Sequence, residues 1–236
     1  MTGVSPSLMA LRAASSHGTS SPAILQRLGA RLATLARPRV VVDVGCGSGD
    51  LYRHVEAVTT ATYIGIDGVA YETFPPGSAV VRVLADLDAP RLPLHTASAD
   101  WVIAVETIEH LENPRAFCRE LTRVVRPGGC LALTTPNQLS LASKLHLLLF
   151  QEFVAFQEAP GLYPTHLTAL LECDLRRLAA ECGWDDVQIV YSGEGRVPGM
   201  ARHYPAWCSR WWPRACSDNI LLFARRPALD ATGVIR

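Results

Sequence analysis

The sequence predicts an α/β protein built on a doubly wound, mostly parallel sheet. Three observations carry this. From residue 39 to 135, short apolar β-branched runs alternate with stretches of helical or turn character, the rhythm of successive βαβ units. The first run, Val41-Val42-Asp43-Val44, breaks into Gly45-Cys46-Gly47-Ser48-Gly49-Asp50. Such a glycine-alternating turn joins a strand to a helix and lets a ligand approach the backbone. Two further apolar runs, 185–191 and 219–224, close the pattern. The length of 236 residues suits one such domain with an inserted cap.

Taken in order, residues 1–20 are rich in Ser, Ala and Gly and are expected to be poorly ordered, leaving 21–236 as a single domain. Ser21-Pro22 reads as an N-cap followed by proline at the first helical position. Ile24, Leu25, Leu28, Leu32 and Leu35 then recur at helical spacing to about Ala36. Strand one is predicted over 39–44, a helix over about 50–58, strand two over 62–66 and strand three over 79–84. Strand four is predicted over 100–105. Asn113-Pro114 starts a helix that runs to Val125 and is ended by Arg126-Pro127-Gly128-Gly129, and strand five covers 130–135. Between about 137 and 164 the rhythm is interrupted by an apolar segment and a Gly/Pro-containing loop, read as an insertion that caps the site as a lid. Residues 170–182 are again helical, and the two closing strands are joined by an irregular segment carrying Trp207, Trp211 and Trp212.

Composition excludes several classes. Lys+Arg and Asp+Glu both number 22, so no global field draws the chain to nucleic acid or to an anionic membrane. Lys144 is the only lysine. The seven cysteines form no C-x-x-C pair, which favours reduced packing residues over a disulfide scaffold or a zinc site and implies a cytoplasmic protein. The most apolar stretch, 139–156, is interrupted by Lys144, His146 and Glu152 and is too short to span a bilayer, so no transmembrane segment is expected.

The glycine turn also specifies a ligand class. A dinucleotide fingerprint needs Gly or Ala at position 50, where this chain has Asp. Asp43 and Asp50 flank the loop, and two carboxylates repel a pyrophosphate but suit a ligand carrying an ammonium and a sulfonium. That ligand is S-adenosyl-L-methionine. The segment resembles motif I of the class I S-adenosylmethionine-dependent methyltransferases. Two more segments strengthen the resemblance. Residues 100–111, with Glu106, Glu109 and His110, are similar to the strand-four acidic motif of the small-molecule, ubiquinone-type enzymes, and Arg126-Pro127-Gly128-Gly129 to their turn before strand five.

The resemblance implies a Rossmann-like seven-stranded sheet of order 3-2-1-4-5-7-6, and a cofactor wall built by Asp43, Gly45, Cys46, Gly47, Gly49, Asp67, Gly68, Asp86, Leu87 and Glu106. Asp67, about twenty residues past the glycine turn, falls where doubly wound folds place a carboxylate on ribose hydroxyls. In the family's pattern Asp86 would reach the adenine amino group, Leu87 would pack on the ring, and Asp43 would orient the methionine end. The candidate bases are Glu109, His110 and His166, with His110 best matched by its ordinary pKa. The expected reaction is O-methylation of a small-molecule, sugar or lipid-linked acceptor by a monomer or homodimer, with no nucleic-acid partner. A metal-dependent RNA 2′-O-methyltransferase and a non-catalytic cofactor-binding protein of the same fold are the alternatives. No metal is expected, because Glu106 is better used near the cofactor and adjacent side chains on a helix diverge by roughly 100°, whereas a metal site would need Glu106, Glu109 and His110 to converge with His166. The three tryptophans either line an acceptor pocket or pack the irregular segment onto the sheet.

Overall fold

A computed structural model describes residues 18–157 and 166–229. Most of the expected disordered N-terminus and residues 158–164, the last quarter of the expected insertion, thus lie outside the described residues. Seven strands form one sheet of order β3-β2-β1-β4-β5-β7-β6. They are β1 (Val40–Val44), β2 (Thr62–Asp67), β3 (Val80–Leu84), β4 (Ala99–Ala104), β5 (Val125–Pro136), β6 (Asp185–Tyr191) and β7 (Asn219–Arg225). The first five run parallel, and β7 lies antiparallel between β5 and β6. The order and the single reversed strand agree with the sequence expectation.

The period-two alternation of the strands sends successive residues to opposite layers. Val42, Val102 and Leu131 pack with Leu121 of α3 (Pro114–Val124) and with Leu175 and Leu178 of α5 (Glu172–Glu181). Val41, Trp101, Ile103 and Phe223 pack with Ile24, Leu25 and Leu28 of α1 (Pro22–Leu32) and with Val55 of α2 (Tyr52–Glu56). Both faces of the central strands are therefore covered, as a parallel sheet requires. α4 (Leu141–Phe150) follows β5, and α6 (Ala206–Trp211) precedes β7. Among the described residues no helix is long and apolar enough to cross a membrane.

Several local expectations change. Ser21 precedes α1 but its hydroxyl caps nothing; Pro22 alone marks the start. Asn113 does cap α3, its Oδ1 accepting from the Ala116 N–H at 2.9 Å. The Arg126-Pro127-Gly128-Gly129 stretch is not a turn before β5 but a bulge inside it. Val125 already pairs with Ala99, and the register shifts before Cys130 pairs with Trp101. Gly128 takes a φ of 73°, which glycine adopts without strain, and its N–H still donates to Arg226 O at 2.9 Å. Continued pairing with the β7 side keeps the stretch extended. The joining segment 192–218 is also less irregular than expected, since it contains α6.

Candidate active site

The carboxyl ends of β1, β2 and β4 open onto a cavity of about 320 Å³. Strand ends in doubly wound sheets converge there because the chain turns away to alternate faces. Of the residues expected to bind cofactor, Asp43, Gly45, Cys46, Gly47, Asp67, Gly68, Asp86, Leu87 and Glu106 all line it, and so do His110 and His166. Two expected residues do not. Gly49 turns away from the cavity, and a Cβ there would meet Pro75 at 2.4 Å, so this glycine serves the packing behind the loop. Glu109 is fully buried behind the wall instead of lining it.

The glycine turn is held by its backbone. The N–H groups of Gly45 and Cys46 both donate to Ile66 O, at 2.7 and 3.1 Å. Gly45 has a φ of 80°, and a Cβ on it would stand 2.1 Å from Thr107 Oγ1. Only glycine fits that crossing. Asp67 accepts from the Gly47 N–H at 2.8 Å and the Val69 N–H at 3.1 Å, which locks the end of β2 to the turn. Burial raises its pKa against these hydrogen bonds.

Asp43 accepts a short hydrogen bond from the Tyr63 hydroxyl, while its Oδ1 has no partner. Burial, outweighing the Tyr63 bond, pushes its pKa up to about 7. A buried carboxylate with an idle oxygen in a cavity wall is a receptor for a cationic group. Asp86 is exposed, with Oδ1 accepting from the Asp88 N–H at 2.9 Å.

Just past the end of β4, Glu106 has a φ of 49°, rare for a residue with a side chain. The conformation is held from three sides. Its N–H donates to Thr134 Oγ1 at 2.9 Å, its Oε1 accepts from Thr134 Oγ1 at 3.3 Å, and its Oε2 accepts from Asn219 Nδ2 at 3.0 Å. Burial pushes its pKa up to about 7.

Glu109 and His110 sit in a single 3-10 turn, Ile108–His110, ended by extended Leu111. The N–H groups of Leu167 and Thr168 donate to Glu109 O at 2.7 and 3.0 Å, which draws His166 beside them. The His110 and His166 rings meet edge to face, with centroids 4.7 Å apart. One ligand-type atom from each of Glu109, His110 and His166 falls within 4.8 Å of the others. Three of the four residues such a metal site would need thus come together, Glu106 excepted, because the segment is a single tight turn braced by a distant stretch of chain. Neither Glu109 carboxylate oxygen has a hydrogen-bond partner. Burial, and then the charge of Glu106, raise its pKa well above the ordinary range. The Nδ1–H of His166 donates to Ala155 O, in the middle of the 3-10 turn Val154–Phe156, which leaves Nε2 as the ring's acceptor. Burial lowers the His166 pKa, so the ring is neutral near pH 7.

Part of the wall was not foreseen. Gly18, Thr19 and Ser20, assigned to a disordered terminus, line the cavity, and Ser48 donates its N–H to Gly18 O at 2.8 Å. Tyr71 and Thr107 also line it. No sequence signal points to Thr107 or Gly18, whose contacts with Gly45 and Gly47 are made between segments distant along the chain. The expected lid contributes less than anticipated: no residue of 137–157 lines the cavity, and 158–164 lies outside the described residues. Trp207, Trp211 and Trp212 neither line the cavity nor pack onto the sheet; all three are exposed.

Comparison with known proteins agrees with this geometry. Residues 19–189 match a methyltransferase domain family. A protein of Mycolicibacterium smegmatis, named as an S-adenosylmethionine-dependent methyltransferase, is 31% identical over 194 residues, covering 80% of this chain and 69% of that protein. The malonyl-[acyl-carrier protein] O-methyltransferase of Hahella chejuensis is 31% identical over 131 residues, 51% of this chain and 47% of that enzyme. A solved S-adenosylmethionine-dependent methyltransferase from Archaeoglobus fulgidus superposes with a TM-score of 0.63 at 17% identity, covering 89% of this chain and 96% of its own.

Proposed function

The chain belongs to the S-adenosylmethionine-dependent methyltransferases, and from that membership we propose that it methylates a hydroxyl oxygen of a small-molecule, sugar or lipid-linked acceptor. The observation that carries the reading is the His110–His166 pair in the cavity wall, with His166 held neutral and its Nε2 left as acceptor. An amine acceptor with a free lone pair needs no such base, whereas a hydroxyl must lose its proton as it attacks. The similarity to enzymes named as O-methyltransferases supports an oxygen acceptor.

S-Adenosylmethionine, when bound, supplies a methyl carbon already activated by its sulfonium. The protein's part is to hold, orient and deprotonate. Asp43 and its idle oxygen would take the ammonium end, Asp67 the ribose, and Asp86 with Leu87 the adenine. Glu106, fixed by Thr134 and Asn219, would set the floor between the two substrates. His166, or His110 beside it, would receive the acceptor's proton while the methyl–sulfur bond breaks and its electrons stay on sulfur. Positioning of this kind supplies ~7–11 kcal/mol when the geometry is near attack. The 3-10 turn Val154–Phe156 stands behind His166 and would close the acceptor side, retaining a cap role for the second half of the 137–164 insertion. A monomer or homodimer working in the cytoplasm fits this reading.

A panel of hydroxylated metabolites, sugars and polyprenyl-linked sugars, with isotopically labelled S-adenosylmethionine, tests the proposal. An O-methylated product is expected. His110→Ala and His166→Ala should lower kcat by about 10²–10⁴-fold, while S-adenosylhomocysteine affinity by calorimetry stays within a few fold. An N-methylated product, or unchanged kcat in both variants, overturns it. A second reading is favoured by the convergence of Glu109, His110 and His166 and by the partnerless Glu109 carboxylate: the same residues would hold a divalent cation that assists deprotonation. Loss of activity on chelation, restored by added Mg²⁺, Mn²⁺ or Zn²⁺, selects that reading; activity that survives chelation rejects it.

A further inference from the structure

α4 has the sequence LASKLHLLLF, and its only buried residue is Ser143. A helix apolar on nearly every side belongs in a core, yet this one stands on the surface. Leu148, Leu149 and Phe150 are 78%, 70% and 63% exposed. α6 and its following residue add Trp207, Trp211 and Trp212, each at least 60% exposed. The two helices grow from one knot. The Leu141 N–H at the start of α4 donates to Ala215 O at 2.8 Å, just past α6, and the Asn137 side chain donates to Arg214 O and Ser217 O. Both leave the sheet where Pro136 of β5 pairs with Asn219 of β7, the edge at which Asn219 also holds Glu106. The apolar surface and the cavity therefore share one end of the molecule.

Charge is segregated on the same elements. The chain as a whole is neutral, but residues 195–217 hold four arginines (196, 202, 210 and 214) between the acids Glu194 and Asp218; Arg214 pairs with Glu172, and Arg196 lies beside Asp218. α4 contributes Lys144 and no acid. Arg202, Arg210 and Lys144 are exposed and make no salt bridge among the described residues. Exposed leucines that need cover, tryptophans at the rim and cations without counter-charge are the three components of a bilayer-interface helix. A nucleic acid offers nothing apolar for Leu148 and Leu149, and a second copy would set the two acid-free segments against each other. We propose that α4 and α6 dock this protein peripherally on an anionic phospholipid surface, with the mouth of the cavity turned toward the membrane.

Flotation of the full chain with vesicles tests the docking without requiring turnover, so it stands or falls separately from the acceptor assignment. Binding is expected to vesicles of phosphatidylcholine mixed with phosphatidylglycerol, weaker binding to phosphatidylcholine alone, and release by high salt. The variants Leu148→Ser/Leu149→Ser and Arg210→Gln/Trp211→Ser should each lower vesicle affinity by roughly tenfold or more, with S-adenosylhomocysteine affinity unchanged as the fold control. If a variant fails that control, quenching of the native tryptophan emission by brominated lipid decides instead. Absence of flotation, flotation unaffected by either folded variant, or absence of quenching overturns the proposal. So does self-association in the ultracentrifuge that Leu148→Ser/Leu149→Ser abolishes.

Discussion

Asp43 enters the cavity wall with one oxygen taken by Tyr63 and burial pushing its pKa up to about 7. In the free protein the sign is unfavourable to ionisation. Its contribution to stability is fully present below the ordinary value of 3.8 and is lost as pH rises through about 7. A ligand ammonium reverses the preference, because it can only be held by the ionised form. S-Adenosylhomocysteine affinity should therefore rise about tenfold between about pH 6 and pH 8, and Asp43→Asn should flatten the profile; calorimetry at several pH values checks both. A flat profile in the unaltered protein would remove Asp43 from the ammonium site. At this scale much of the wall could be read in advance, because the alternating glycines and the acids at strand ends are local signals. Thr107 and Tyr71 could not: each reaches the cavity through contacts made far along the chain, and neither belongs to a residue type that announces a site.

α3 shows how far capping chemistry carries at the level of an element. Asn113 satisfies the Ala116 N–H and Pro114 needs no partner, so the helix begins where the sequence says it should. Asn113→Ala should cost ~1 kcal/mol and lower the melting temperature by about 2–4 °C, read by calorimetry, with S-adenosylhomocysteine affinity unaffected. β5 shows where such reasoning stops. Proline and two glycines in a row look like a turn, yet pairing on the β7 side keeps the chain extended, and the irregularity becomes a bulge against β4. The 3-10 turn at Ile108–His110 is a comparable case. A regular helix separates neighbouring side chains, but a single braced turn brought Glu109 and His110 toward the same point as His166. Local preference set these elements in place, and tertiary pairing set their shape.

For the molecule as a whole, the alternation of strands with helices and the closing pair after residue 184 were enough to anticipate the strand order. The two crossings that lack a helix, 68–79 and 85–98, did not disturb it: they flank β3, which is largely exposed and keeps its place through its parallel pairing with β2 from Tyr63–Val80 to Asp67–Leu84. The exposure of α4 was not readable, because an apolar helix looks the same in sequence whether a core or a membrane covers it. The position of β7 bears on how the chain is made. It is the last strand in order and yet lies inside the sheet, between β5 and β6. During vectorial synthesis β5 emerges early and must wait, an open hydrophobic edge with its hydrogen-bonding groups unanswered. Asn219 arrives with β7, so shorter nascent chains lack its bond to Glu106 Oε2 and hold that carboxylate through Thr134 alone. Ribosome-bound intermediates stalled before β7 should thus be customers of chaperones and hold the methyl donor more weakly than chains in which β7 has been added.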